Sequence, residues 1–155
     1  MDLFVSTFQN RVDAKGRVSV PADFRAVLAR EGADAVFLYP TPGAEALDAG
    51  GPALMQSVAG LMAGLGPYSE QRDVLSTAIF GDSAMVKLDG DGRIILPETM
   101  RSHAQIEDRV TFVGLGSKFQ LWEPGRFAAH LQRAREDARA LRESFGDRRG
   151  SRPTG

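Results

Sequence analysis

Chemistry in this sequence concentrates in two short turns. Asp13-Ala14-Lys15-Gly16-Arg17 and Asp89-Gly90-Asp91-Gly92-Arg93 each set an aspartate four residues ahead of an arginine, with a glycine just before the arginine. An arginine leaving a tight turn presents a planar fork of N–H donors, a shape that matches phosphate oxygens and the edge of guanine. The aspartate can orient that fork or cap the turn by accepting backbone N–H bonds. Further cations flank both turns: Arg11 and Lys15 at the first, Lys87 at the second. A single turn of this kind is ordinary turn chemistry. Retention of Asp and Arg in both copies points instead to a paired device for binding an anion.

Other chemistries fit poorly. Asp89, Asp91, Gly92, Ile94 and Glu98 fall on positions of a calcium loop, yet Lys87 would occupy its first ligand position and the flanks read as strands. Gly114-Leu115-Gly116-Ser117-Lys118 lacks the spacing of a phosphate loop and leads into a strand, so it reads as a hairpin turn. His103 and His130 belong to no metal-binding pattern, and no Gly-x-Ser-x-Gly elbow is present. His103 reads as a surface helix residue and His130 as half-buried. The sequence predicts no enzyme, cofactor, metal or small-molecule substrate.

Composition is compatible with this reading. The chain has 155 residues, 43% hydrophobic and 25% charged, which suits one soluble domain or two small halves sharing a core. A formal net charge of −1 argues against a uniformly basic nucleic-acid binder but allows a local basic patch. No cysteine is present, so disulfides and thiolate metal sites are excluded. No apolar run approaches the ~20 residues of a membrane span, and MDLFVSTFQNR lacks the pattern of a secretory leader. A cytosolic protein with no membrane partner is expected.

The elements that must position the turns form a repeat. Residues 11–25, RVDAKGRVSVPADFR, return as residues 87–101, KLDGDGRIILPETMR, with an offset of 89 − 13 = 76. Pro21 and Arg25 recur as Pro97 and Arg101. Each copy reads as strand, turn and short strand, followed by a helix that proline opens. Ile95, apolar where its counterpart Ser19 is polar, predicts a second copy buried on both faces. A strand is predicted over 35–39 and a loop over the Pro- and Gly-rich residues 40–52. Helices then carry Leu54, Val58, Leu61 and Leu65, and, after a Ser69 cap, Val74, Leu75, Ala78 and Ile79. A hairpin pairs 110–113 with 119–122. After Pro124, Phe127, Leu131, Ala134, Ala138, Leu141 and Phe145 lie on one stripe of a long helix. That stripe reads as packing against the chain's own strands or a neighbouring subunit. The expected divisions are a first half over 1–76, a second over 77–145, and a disordered tail over 146–155, where GDRRGSRPTG is polar and rich in arginine.

The duplicated turns, DAKGRVSVP, Leu38-Tyr39-Pro40, VKLDGDGRIILP and GLGSKFQLW together resemble the MraZ transcriptional regulators, whose halves are AbrB-like swapped-hairpin modules. The resemblance covers roughly residues 3–145. It implies an α+β fold: an internally duplicated swapped-hairpin β-barrel with short helices and a long C-terminal helix. It also implies a cytoplasmic, nucleoid-associated repressor of the division and cell-wall gene cluster, including its own promoter. Such a protein binds short direct repeats of double-stranded DNA as a homo-oligomeric ring. By position, it implies DNA contacts at Asp13, Lys15, Arg17, Asp89 and Arg93, to which the flanking Arg11 and Lys87 add charge. Two departures carry expectations. The stretch from Arg25 to Leu38 is shorter than that from Arg101 to Leu121, so the first half is expected to lack part of a hairpin. Asp91 stands where the first turn has Lys15, so the first turn is expected to hold DNA more strongly. The alternative is a protein-interaction module that uses the hairpins or the C-terminal helix and binds no DNA.

Overall fold

The repeat governs the whole topology, beyond the motif in which it is visible. The computed structural model describes residues 2–150, with side-chain surroundings through Gly146. The first repeat comprises β1 (Thr7–Arg11), β2 (Arg17–Ser19), α1 (Ala22–Arg30), β3 (Ala35–Pro40) and β4 (Leu47–Gly50). Helices α2 (Pro52–Ala63) and α3 (Glu70–Ser76), the latter running into a wide helical turn at Thr77–Gly81, connect it to the second. The second repeat comprises β5 (Ala84–Lys87), β6 (Arg93–Ile95), α4 (Glu98–Ala104), β7 (Arg109–Gly114) and β8 (Phe119–Trp122). Helix α5 (Pro124–Gly150) ends the described chain. Two units result, residues 1–124 and the helix from Gly125.

Neither repeat completes its own sheet. Six antiparallel strands run in the order β1-β7-β8-β4-β3-β5, and exchanging the repeats maps that order onto itself. Strand β1 pairs with β7 of the second repeat, while β5 pairs with β3 of the first. The short strands β2 and β6 form a separate two-stranded ribbon, Val18 opposite Ile94. This exchange is the expected swapped-hairpin arrangement in an α+β fold.

Several local expectations need correction. The loop predicted over 40–52 contains β4, which is buried at all four residues and central to the sheet. Consequently the first repeat has a complete hairpin, β3–β4, matching β7–β8. The offset between repeats shrinks along the chain: 98 − 22 = 76 at the helices, 109 − 35 = 74 at the third strands, and 119 − 47 = 72 at the fourth. A comparison of Leu38 with Leu121 therefore matches β3 with β8, which are different strands. Ile95 is 57% exposed, so the second copy is not buried on both faces. Its strand belongs to a ribbon with only one side on the core. Leu61 is exposed, and the buried stripe of α2 is Leu54, Val58 and Met62. Val74 and Leu75 of α3 are also exposed. Helix α5 continues to Gly150; residues 151–155 of the expected tail lie outside those described.

Two cores hold the unit together. Val18, Val20, Phe24, Ile94, Leu96 and Met100 join Phe4, Phe112 and Phe119 in the larger one. The Phe24 ring stands 5.4 Å from Phe4 and 4.9 Å from Phe119, spacings at which aromatic pairs add to simple area burial. On the opposite face of β3, Phe37 and Tyr39 pack with Leu54, Val58, Met62 and Ile79. With both faces covered, β3 reads AVFLYP, a continuous apolar run rather than an alternating one.

Candidate nucleic-acid interface

Both D-x-x-x-R turns close by the same hydrogen bonds. Gly16 N–H donates to the Asp13 carbonyl at 2.9 Å, and Asp13 N–H to the Arg17 carbonyl at 3.0 Å. Carboxylate oxygen Oδ1 of Asp13 accepts from the N–H groups of Lys15 and Arg17 at 2.9 and 2.8 Å. Its other oxygen, Oδ2, accepts from Arg17 Nε at 2.7 Å. In the second turn Asp89 Oδ1 accepts from the N–H groups of Asp91 and Arg93, both at 2.9 Å, and Oδ2 from Arg93 Nε at 3.0 Å. Gly16 and Gly92 sit at φ +83° and +76°, the left-handed region where glycine carries no Cβ penalty. Each aspartate therefore both caps the turn and orients the arginine.

The orientation has a chemical consequence. Asp13 takes the Nε edge of the guanidinium, and no hydrogen bond to Arg17 Nη1 or Nη2 forms among the described residues. That outer edge is the one a phosphate or a guanine would engage. Both carboxyls are held below the usual 3.8, first by the backbone N–H of the turn arginine, with further lowering by its side chain and by the N–H of Lys15 or Asp91, against a desolvation that raises them. They stay ionised at neutral pH, as a clamp on a guanidinium requires.

The turns diverge in charge at one residue, Lys15 against Asp91. Asp91 Oδ2 lies 3.3 Å from Arg93 Nη2, so a second carboxylate competes for the outer edge of that arginine. Lys15 at the matching place is exposed. The carboxylates of Asp89 and Asp91, which a calcium loop would direct at a cation, are both engaged by Arg93.

Strands β2 and β6 bring the arginines together. Arg17 lies opposite Ile95 and Arg93 opposite Ser19, and all four share the face away from Val18 and Ile94, both 1% exposed. Arg17 and Arg93 are thus diagonal neighbours, with Cα atoms about 7–8 Å apart by antiparallel geometry. Of the other predicted residues, Arg11 is exposed at the end of β1 opposite Arg109, and Lys87 is exposed at the end of β5 opposite Ala35. Arg109 is an unanticipated cation of this region; the residues around it give no sign before the pairing of β1 with β7 is known.

Two residues of the repeat have a supporting place that sequence reasoning missed. The side chain of Arg25 lies against Gly92, and that of Arg101 against Gly16. Arg25 Nε donates to the Val20 carbonyl at 3.0 Å, whereas Arg101 Nε is buried without a partner. Each turn is braced by an arginine from the other repeat. Their recurrence was visible; their destination was not.

Comparison with known proteins agrees with this architecture. Residues 79–148 match the family model described as "MraZ protein, putative antitoxin-like". The chain is similar to a protein of Methylocella silvestris named "Transcriptional regulator MraZ", with 55% identity over 96% of this chain and 90% of the relative. A protein of that name from Azorhizobium caulinodans is 51% identical over 97% and 96%, and one from Rickettsia akari 42% identical over 92% and 95%. Likeness of this extent, over nearly the whole chain, shows that the chain belongs to the MraZ family.

Proposed function

We propose that this chain is a sequence-specific DNA-binding transcriptional regulator that reads double-stranded promoter DNA with its two D-x-x-x-R turns. The observation that carries the reading is the pair Arg17 and Arg93, each oriented by its own aspartate, side by side on the outward face of a two-stranded ribbon. A two-stranded ribbon fits the major groove, where arginine pairs with the O6 and N7 atoms of guanine. The diagonal separation of about 7–8 Å is near that of alternate nucleotides on one strand, at roughly 3.4 Å per step. Arg11, Lys15 and Lys87 then neutralise phosphates, while Asp13 and Asp89 act through the arginines they hold. The relatives are named as transcriptional regulators, which supports this class.

The finer reading follows the family resemblance: repression of the division and cell-wall cluster and of the chain's own promoter, through short direct repeats bound by a ring of identical subunits. A few cations per chain are too few for tight binding, since affinity grows with the number of phosphates neutralised. Arraying the turns on repeated sites supplies the missing strength by avidity. The first turn, with Lys15 in place of Asp91, holds DNA more strongly.

Gel shifts with the chain's own upstream DNA test the assignment. Arg17→Ala and Arg93→Ala should each weaken binding by about 1–3 kcal/mol, the range for a bidentate base contact, and leave the circular dichroism unchanged. Undiminished affinity in both variants would sink the site assignment. Binding should also weaken steeply with salt, as a purely apolar protein interface would not.

A further inference from the structure

The apolar stripe of α5 has a regular spacing. Phe127, Leu131, Ala134, Ala138, Leu141 and Phe145 follow one another at intervals of four, three, four, three and four residues. That alternation repeats every seven residues and marks the a and d seam of a left-handed coiled coil. Phe127 is 8% exposed, whereas Leu141 and Phe145 are 57% and 55% exposed. Leu131 lies between, half-buried, and Ala134 and Ala138 are exposed. A helix that carries large apolar side chains into water on one stripe alone is built for a second helix.

Charge decides which helix and in which direction. With Leu131, Ala138 and Phe145 at a and Ala134 and Leu141 at d, the flanking g positions hold His130, Asp137 and Ser144, of which Asp137 alone is acidic, and the e positions after each d hold Arg135 and Arg142. In a parallel pair of identical helices, a g residue faces the e residue five positions on in the partner. Asp137 then meets Arg142 of a second copy, and by symmetry the contact forms twice. An antiparallel pair would set e against e and g against g, placing Arg135 near Arg142 and Asp137 near its own counterpart. Both contacts would repel.

We infer that α5 joins two copies of this chain as a short parallel coiled coil, with Ala138, Leu141 and Phe145 on its seam and Asp137 paired with Arg142 of the second copy. The small residues Ala134 and Ala138 let the helices approach closely beside the bulkier Leu141 and Phe145. This contact is two-fold and separate from the DNA-facing turns and from any ring contact, so it can fail or hold independently of the proposed function.

The chain contains no cysteine, which permits a local test in the full-length protein. Ala138→Cys places a thiol on the seam, where paired backbones come within the roughly 5.5–6 Å typical of disulfides. Ala140→Cys places one on the outer side of the same helix. Under mild oxidation the first variant should give a disulfide-linked dimer and the second should not. Equal linking in both, or none at position 138, overturns the proposal. In the Ala138→Cys background, D137R and R142D should each cut the yield several-fold, and the double variant should restore it. Circular dichroism of each variant verifies that the helix persists. Absence of restoration, with the helix intact, overturns the parallel register.

Discussion

The guanidinium of Arg25 lies across the open side of Gly92, so close that a Cβ built there would stand 2.5 Å from Nη1 and 2.6 Å from Cδ. The two residues belong to different repeats, and the contact makes one turn depend on the helix of the other. At φ +76° an alanine also carries a backbone cost of about 1–2 kcal/mol. Gly92→Ala should therefore lower stability by at least that amount in urea unfolding, with loss of DNA affinity as the turn is displaced. Gly90→Ala, two residues away with nothing within 4 Å, is the control and should be nearly neutral. Equal stability of the two variants would show that the brace is not needed.

Acid should loosen both turns together. Asp13 and Asp89 have carboxyls lowered from 3.8, chiefly by the backbone N–H groups of Arg17 and Arg93. A carboxyl depressed in the folded state favours folding above its unfolded value of about 3.9, and that contribution disappears as pH falls through the folded value. Carboxyl carbon NMR titrations should give midpoints below 3.8 for both aspartates, with the Arg17 and Arg93 amide signals moving in step. A midpoint at or above the ordinary value in either turn contradicts the clamp.

A buried carboxylate joins the two repeats. Asp48 on β4 is 2% exposed and accepts from Thr41 Oγ at 2.8 Å, from Gln120 Nε2 on β8 at 2.8 Å, and from Lys118 Nζ at 2.9 Å. Removing the cation leaves a desolvated charge, but the partial exposure of Lys118 discounts the effect. Lys118→Met should therefore cost about 1–3 kcal/mol. The single tryptophan reports it, because Trp122 Nε1 donates to Gln120 Oε1 at 2.9 Å. A shifted Trp122 emission with an earlier urea midpoint is expected; an unchanged midpoint counts against a stabilising role for the pair.

Tyr39 should resist alkali. Burial first, and then the charge and hydrogen bond of Asp48, push its phenol above the usual 10.0. An acid whose folded value is raised stabilises the fold below its unfolded value, and that contribution is lost as pH rises through the folded value. In a Tyr68→Phe background only Tyr39 absorbs as phenolate, since the chain has two tyrosines. The absorbance rise should come above the ordinary tyrosine range and coincide with unfolding. A reversible rise near pH 10 with the fold intact would exclude the buried contact.

What was legible in the sequence had a local cause. The turns showed because Asp, Gly and Arg at fixed spacing close a hydrogen-bonded loop from nearest neighbours alone. Helices α1 and α4 showed because proline marks where each begins. Strand β4 did not show: Leu47-Asp48-Ala49-Gly50 has neither alternation nor β-branched residues, and its burial comes from β3, β8 and α2. Gly50 in particular is required by Leu54, whose Cβ would stand 2.8 Å from a Cβ at that place. Ile95 misleads for the opposite reason: its type is apolar, but only the ribbon's other side meets the core. Arg25, Arg101 and Arg109 depend on contacts between repeats, which spacing along the chain cannot reveal.

The pairing of β1 with β7 bears on how this protein is made. Thr7 lies opposite Val113 and Arg11 opposite Arg109, so β1 leaves the ribosome long before its partner strand. Contacts so distant in sequence must close a long loop before they repay its entropy, which slows folding. During synthesis the first repeat would hold β3 and β4 as a hairpin but lack partners for β1 and β2 until the second repeat emerges. Release of a chain cut after the first repeat should therefore yield an aggregation-prone fragment instead of a small stable protein.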